Sequence, residues 1–303
     1  MKAIFLKILE TLSSKLGSWP VRFFSWWIAT GYFLFNPTRR RSSLSLYQGI
    51  FPGKKSWFHL LCAWRQFHSF AATFGERIDM GRGKKDVMIS QGREEFLESI
   101  QKGRGGIILM SHLGSFEIAA REFQENGLKH LMIMGEKEAK KVARGQRKDL
   151  KDRGIGILVA NGQEDSFLGG LEAVKFIREG GIVSVAGDLV WTRQRMSLPV
   201  RFFNQEVALT SGPHLLALIT GAPLFILFTF QSPEGRHSVI ISPPYEVKSS
   251  SRSDRKPALQ ASAQRYATAL EEMVRKCPYQ WYIFEPFFHS PASKWGNSSP
   301  GSI

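Results

Sequence analysis

Residues 105–117 read GGIILMSHLGSFE. Two glycines lead into four consecutive apolar side chains, Ile107 to Met110, and these run into Ser111-His112-Leu113-Gly114. A short unbroken apolar run bounded by glycine is the pattern of a strand buried on both faces. The stretch Ile118–Glu125 that follows has helical spacing. The chain therefore passes from strand to helix with a histidine at the junction. That junction is the carboxyl end of a strand, where open α/β sheets collect their ligands.

The same alternation continues outward. Apolar runs stand at Leu131–Met134, Ile155–Val159, Ile182–Ala186, Leu224–Phe230 and Ser238–Ile241. Helical patterns fall at Glu94–Gln101, Lys137–Lys151, Gly170–Arg178, Pro213–Thr220 and 256–276. Strands alternating with helices predict an α/β domain with a mainly parallel central sheet flanked by helices. The stretch SSSRSDR, 249–255, reads as a solvated loop, and GRGKKD, 81–86, as a turn. Three segments are expected: a membrane-associating N-terminal helical segment, 1–41; the α/β domain, 42–289; and a Ser/Gly/Pro-rich disordered tail, 290–303.

Composition narrows the function. Hydrophobic residues are 43% of the 303, too many for a disordered chain. Lys and Arg number 41 against 26 Asp and Glu, a net charge of +15, which calls for an anionic partner. The basic residues are dispersed and carry no nucleic-acid motif, so an anionic membrane surface or an acidic carrier protein is the expected partner. Cys62 and Cys277 supply neither a disulfide framework nor metal-ligand spacing. No metal or tightly bound cofactor is expected.

The 8 Trp and 23 Phe are many for a basic chain and suit interfaces that are half wet and half apolar. Residues 1–16 have amphipathic helical spacing, and Trp19–Phe35, WPVRFFSWWIATGYFLF, is dense in aromatics. At 17 residues it is marginal for a span, which needs about 20. Arg39, Arg40 and Arg41 follow, and polybasic residues beside an apolar segment are attracted to anionic headgroups. The expected state is an anchor lying in, or just crossing, the cytoplasmic leaflet. The other reading is a core helix of the domain.

His112 and Glu117 are separated by four residues. On one continuous helix their side chains would diverge by about 140°. They can meet if His112 lies in the loop past the strand, Gly114 makes the turn and Glu117 sits in the first helical turn. A neutral imidazole is available near pH 7. A carboxylate on its other nitrogen would fix the tautomer and stabilise the imidazolium. No GxSxG elbow, HExxH pair or phosphate loop is present, so the remaining role for such a base is deprotonating a hydroxyl or amine of a substrate. The alternative is a structural histidine in a non-catalytic, basic membrane-surface binding protein. His59, His68, His130, His214, His237 and His289 have no motif and read as structural. Phe225, Phe228 and Phe230 read as sheet core.

SHLGSFE resembles the H-x4-D/E block of the bacterial lipid A biosynthesis lauroyl/myristoyl acyltransferases. Residues 183–228, with an aspartate after a strand, a Phe-Phe pair and a Gly-Pro helix start, resemble a second family segment. CPYQWYIFEPFF, 277–288, resembles the closing one. The likeness implies transfer of a fatty acyl group from acyl carrier protein or acyl-CoA to a hydroxyl of a lipid or glycolipid acceptor, at the cytoplasmic face of the bacterial inner membrane. It makes His112 the general base and Glu117 its partner. It gives Arg153 and Asp188 roles in binding or ordering the site, with Arg201 also a substrate-binding candidate. It makes Glu206 a second carboxylate near the histidine. Oxyanion donors are sought in backbone N–H groups near Gly114 or a nearby arginine. The chain departs from the family at Asp188-Leu189, at Phe202-Phe203-Asn204, where the family often has Phe-Phe-Gly, and at Trp281–Glu285; these positions are expected to touch donor or acceptor.

Overall fold

The computed structural model describes residues 19–81, 89–115, 118, 127–135, 155–160, 165–189, 197–232 and 236–288. Seven strands form one sheet in the order β1-β9-β8-β2-β5-β3-β4. They are β1 (Ile89–Gln91), β2 (Gly106–Met110), β3 (His130–Gly135), β4 (Ile155–Ala160), β5 (Ile182–Ala186), β8 (Leu224–Gln231) and β9 (His237–Ile241). All pairings are parallel except β8 with β9. The mainly parallel sheet and the strand positions agree with the sequence reading.

β2 lies inside the sheet, paired on one side with β5 and on the other with β8. All five of its residues are buried, and their alternation divides the core. Ile107 and Leu109 face one hydrophobic cluster, with Val183 and Ile226. Ile108 and Met110 face the other, with Phe225 and Leu227. Each such side chain contributes about 1.5–3 kcal/mol. The first face is covered by α2 (Pro37–Ile50), α3 (Ser56–Gly81), α5 (Asp165–Arg178), α6 (Gly212–Thr220) and α7 (Arg255–Lys276). On the second, Phe96 and Ile100 of α4 (Arg93–Gln101) pack against the sheet.

Three strands were not foreseen. β1 is three residues long, too short to show a period. β6 (Ser197–Phe202) and β7 (Gln205–Thr210) form a separate antiparallel hairpin. Its turn residues Phe203 and Asn204 both have positive φ, 49° and 60°, as a two-residue primed turn requires. Asn204 thus differs from the family glycine at an exposed turn tip, where asparagine tolerates the left-handed conformation.

At the N-terminus, α1 (Trp19–Phe35) is followed at once by α2. Asn36 separates them: its side chain accepts a hydrogen bond from Arg39 N at 3.2 Å, and Pro37 occupies the first turn. The boundary drawn at Arg41 falls inside α2. α1 packs on α3 through Phe33, whose ring lies 5.4 Å from Trp64 and 5.2 Å from Phe67. On its other side Trp19, Phe23, Trp27, Ile28 and Phe35 are exposed, Phe35 at 86%. Trp57 and Leu60 of α3 are exposed as well. Among the described residues no helix is long and apolar enough to cross a membrane. Two of the three arginines have local partners. Arg40 donates to the Phe33 and Leu34 carbonyls at the end of α1, at 3.2 and 3.0 Å. Arg39 donates to Phe284 O at 2.9 Å. Arg41 is exposed.

Candidate active site

The strand β2 ends at Met110, and His112 stands two residues beyond, with its side chain 32% exposed. β5, its parallel neighbour, ends at Ala186, so Asp188 stands two residues beyond that. The register pairs Met110 with Ala186. Parallel pairing without stagger therefore brings His112 and Asp188 side by side at the carboxyl edge of the sheet.

Asp188 is completely buried and grips the histidine twice. Its Oδ1 lies 2.8 Å from His112 Nδ1, and its Oδ2 accepts from His112 N at 2.6 Å. A third donor, Trp281 Nε1, reaches Oδ2 at 2.9 Å. Burial pushes the Asp188 carboxyl up, but the charge and two hydrogen bonds of His112 and the indole hydrogen bond outweigh it, so it is held below the usual carboxylate range. Asp188 is thus an anion at neutral pH, and it fixes the proton of His112 on Nδ1. The ring's Nε2 is then the basic nitrogen.

The loop carrying His112 is held by its backbone. Leu113 forms a β-bridge with Trp281. Gly114 N donates to Gln280 O, and Tyr282 N donates to His112 O, each at 2.8 Å. Gly114 has φ +69°, and a Cβ there would strike the Thr229 carbonyl, so only glycine fits. These bonds bear on where an oxyanion could be held. His112 N donates to Asp188, Leu113 N to Ser111 Oγ at 3.3 Å and Gly114 N to Gln280. The N–H groups of His112, Leu113 and Gly114 are thus engaged within the protein.

The segment 280–283 is secured from behind. Gln66 of α3, fully buried, donates to Trp281 O at 2.6 Å and Ile283 O at 3.2 Å, and its carbonyl accepts from Ser43. A cavity of ≈ 30 Å³ lies beside Gly114 and Ser115, bordered by Ser69, Thr73 and Tyr282. That is room for water and not for a hydrocarbon chain.

Glu117 and Arg153, the helix expected at Lys137–Lys151 and His289 lie outside the described residues. The acid found on His112 Nδ1 is Asp188, 76 residues away in sequence. Arg201 and Glu206 are brought to each other: they are register partners across β6–β7, both exposed. They sit on the outward side of the hairpin, whose inward Phe202 packs 5.5 Å from Trp281. Trp281 was missed as a site residue, although it stands in the closing segment that the sequence singles out. The remaining described histidines are in structural settings. His130 Nε2 meets Ser184 Oγ at 2.6 Å, and His214 Nδ1 meets Ser262 Oγ at 2.7 Å. His59 bonds Phe51 O at 3.0 Å, His68 bonds Trp64 O at 2.9 Å, and His237 is buried in β9. Phe225 and Phe228 are sheet core.

A family model described as bacterial lipid A biosynthesis acyltransferase matches residues 56–290. No curated protein matches the chain.

Proposed function

The chain belongs to the bacterial lipid A biosynthesis acyltransferase family, and from that premise we propose that it moves a fatty acyl group from an acyl thioester to a hydroxyl of a lipid or glycolipid acceptor, with His112 as the general base. The observation that carries this reading is the buried Asp188 carboxylate 2.8 Å from His112 Nδ1 at the carboxyl edge of the sheet. With Nδ1–H held there, His112 Nε2 takes the proton of the acceptor hydroxyl as its oxygen attacks the thioester carbonyl. The tetrahedral oxyanion collapses, the carbon–sulfur bond breaks, and the imidazolium returns its proton to the departing thiolate. Asp188 stabilises the imidazolium between those two transfers. A positioned base of this kind is worth about 10²–10⁴-fold in rate. Nδ1 offers one proton, and Asp188 receives it, so Asp188 is the acid this mechanism uses.

The donor is acyl carrier protein or acyl-CoA as cosubstrate. The acceptor is met at the cytoplasmic face of the bacterial inner membrane. The exposed aromatics of α1 and α3 support the membrane reading, because large apolar side chains left open to solvent in this number mark an interaction site and their Trp-rich composition suits a lipid headgroup boundary. The net charge of +15 favours both an anionic bilayer and an acidic carrier. A non-catalytic membrane binder would use the same surface, but it would have no use for a buried anion holding a half-exposed imidazole.

The test is lipid analysis of cells lacking the protein and resupplied with wild type or His112→Ala. The wild type restores an acylated lipid, and the variant does not. Full restoration by His112→Ala would overturn the mechanism.

A further inference from the structure

We propose that Trp281 is a positioning residue for the acyl transfer, acting through Asp188. The inference rests on the reading of His112 as the base. Its indole N–H lies 2.9 Å from Asp188 Oδ2, the oxygen that also accepts from His112 N, leaving Oδ1 for Nδ1–H. Trp281 is fully buried and its ring is wedged by Phe202 and Phe287, at 5.5 and 4.9 Å between centroids. Its backbone is fixed by the bridge to Leu113 and by Gln66. The donor cannot swing away, so Oδ2 is saturated by two fixed N–H groups and the carboxylate can turn only one oxygen to the imidazole.

An N–H given to a carboxylate favours its charged form and draws charge from it. Losing the indole donor leaves more of the charge to His112. The imidazolium then becomes too stable, and the base is available only at higher pH. Among the described residues, the titratable groups facing this pair are few. Tyr266 of α7 donates its hydroxyl to Met110 O at 2.8 Å, and burial, then the charge of Asp188, pushes its phenol far up, so it stays neutral. The Tyr282 hydroxyl is paired with Ser69 at 3.0 Å.

The experiment uses the full chain in detergent micelles with ¹⁵N-labelled histidine and tryptophan. The His112 titration is followed by NMR beside acyl-transfer kinetics. Trp281→Phe keeps the ring and removes the donor. The expected result is a His112 midpoint raised by about 1 pH unit, the acidic limb of kcat/KM raised with it, kcat below the midpoint lowered up to about tenfold and KM unchanged. In an Asp188→Asn background the same substitution changes kcat less than about twofold, since the residues act as one unit. In the wild type the Trp281 indole resonance moves with the His112 midpoint, a readout that stands even if the variant fails to fold. An indole resonance indifferent to His112, an unchanged midpoint in Trp281→Phe, or an equal loss of kcat in both backgrounds would overturn the proposal and leave Trp281 a packing residue. An inactive wild type with the indole coupled to His112 would instead refute acyl transfer.

Discussion

Asp188→Asn is the most informative single change. The carboxylate receives three N–H groups: His112 N and Trp281 Nε1 at Oδ2, and His112 Nδ1 at Oδ1. An amide offers one oxygen and one NH₂. With its oxygen at the doubly bonded position it keeps two donors and presents its NH₂ to Nδ1. His112 must then accept at Nδ1 and carry its proton on Nε2, where the base is needed. Turning the amide over would set NH₂ against two N–H groups in a fully buried site, which is worse. The variant folds with the wrong tautomer and without the anion that steadies the imidazolium. The loss is that of a general base, about 10²–10⁴-fold, or about 3–5 kcal/mol of barrier at 1.36 kcal/mol per factor of ten. The assay is transfer of labelled acyl chains from acyl carrier protein or acyl-CoA to membrane lipid extract, with kcat taken at saturating donor. Glu117→Gln serves as the comparison and should cost less. A well-folded Asp188→Asn protein within threefold of wild type would show that His112 is not steered from Nδ1, and the geometric argument would fail.

Acid should weaken the fold in two stages. His130 and His214 are both pushed down to about 4 by burial. Each stays neutral in the fold while the unfolded residue takes a proton near 6.5, so stability falls as pH drops from about 6.5 towards 4, by up to about 3 kcal/mol per residue. Asp188, held low, contributes stability present above the ordinary carboxylate pKa and lost as pH falls through its own lower value. A melting temperature that does not change between pH 7 and 5 would contradict the first stage. Gly114→Ala should cost at least about 2 kcal/mol, because it adds left-handed strain to a collision with Thr229; denaturant midpoints measure it, and a neutral result would mean that the loop is not clamped as described. Replacing Phe23, Trp27 and Phe35 together by serine should lower binding to anionic vesicles at least about tenfold, each tenfold being about 1.4 kcal/mol, with unchanged circular dichroism. Undiminished co-sedimentation would remove the aromatic face from the membrane reading.

The middle of the sheet was legible because β2, β5 and most of β8 are buried on both faces and so read as unbroken apolar runs. The β6–β7 hairpin was harder to see. Its alternation of Leu198, Val200 and Phe202 is interrupted by Pro199, and its turn is Phe-Asn in place of a glycine pair. His112 stood out because it directly follows a buried-strand pattern and lies in the SHLGSFE block. Its acid was sought five residues away, where sequence spacing can be read. Asp188 could not be ranked above Glu117 without knowing that β2 and β5 are neighbours in register, a tertiary fact that no local pattern contains. The arginines after Phe35 were read by charge alone, whereas Arg39 and Arg40 answer to carbonyls left open by the ends of helices and loops.

The bridge between Leu113 and Trp281 bears on how the protein is made. Trp281 is translated 93 residues after Asp188. At 5–20 residues per second, ribosomes need roughly 5–20 s to cover that distance. Throughout that interval the nascent chain holds its histidine and aspartate but lacks the indole and the backbone that clamp them. The His112 loop and the Asp188 carboxylate therefore reach their final geometry only once residues 280–282 are in place.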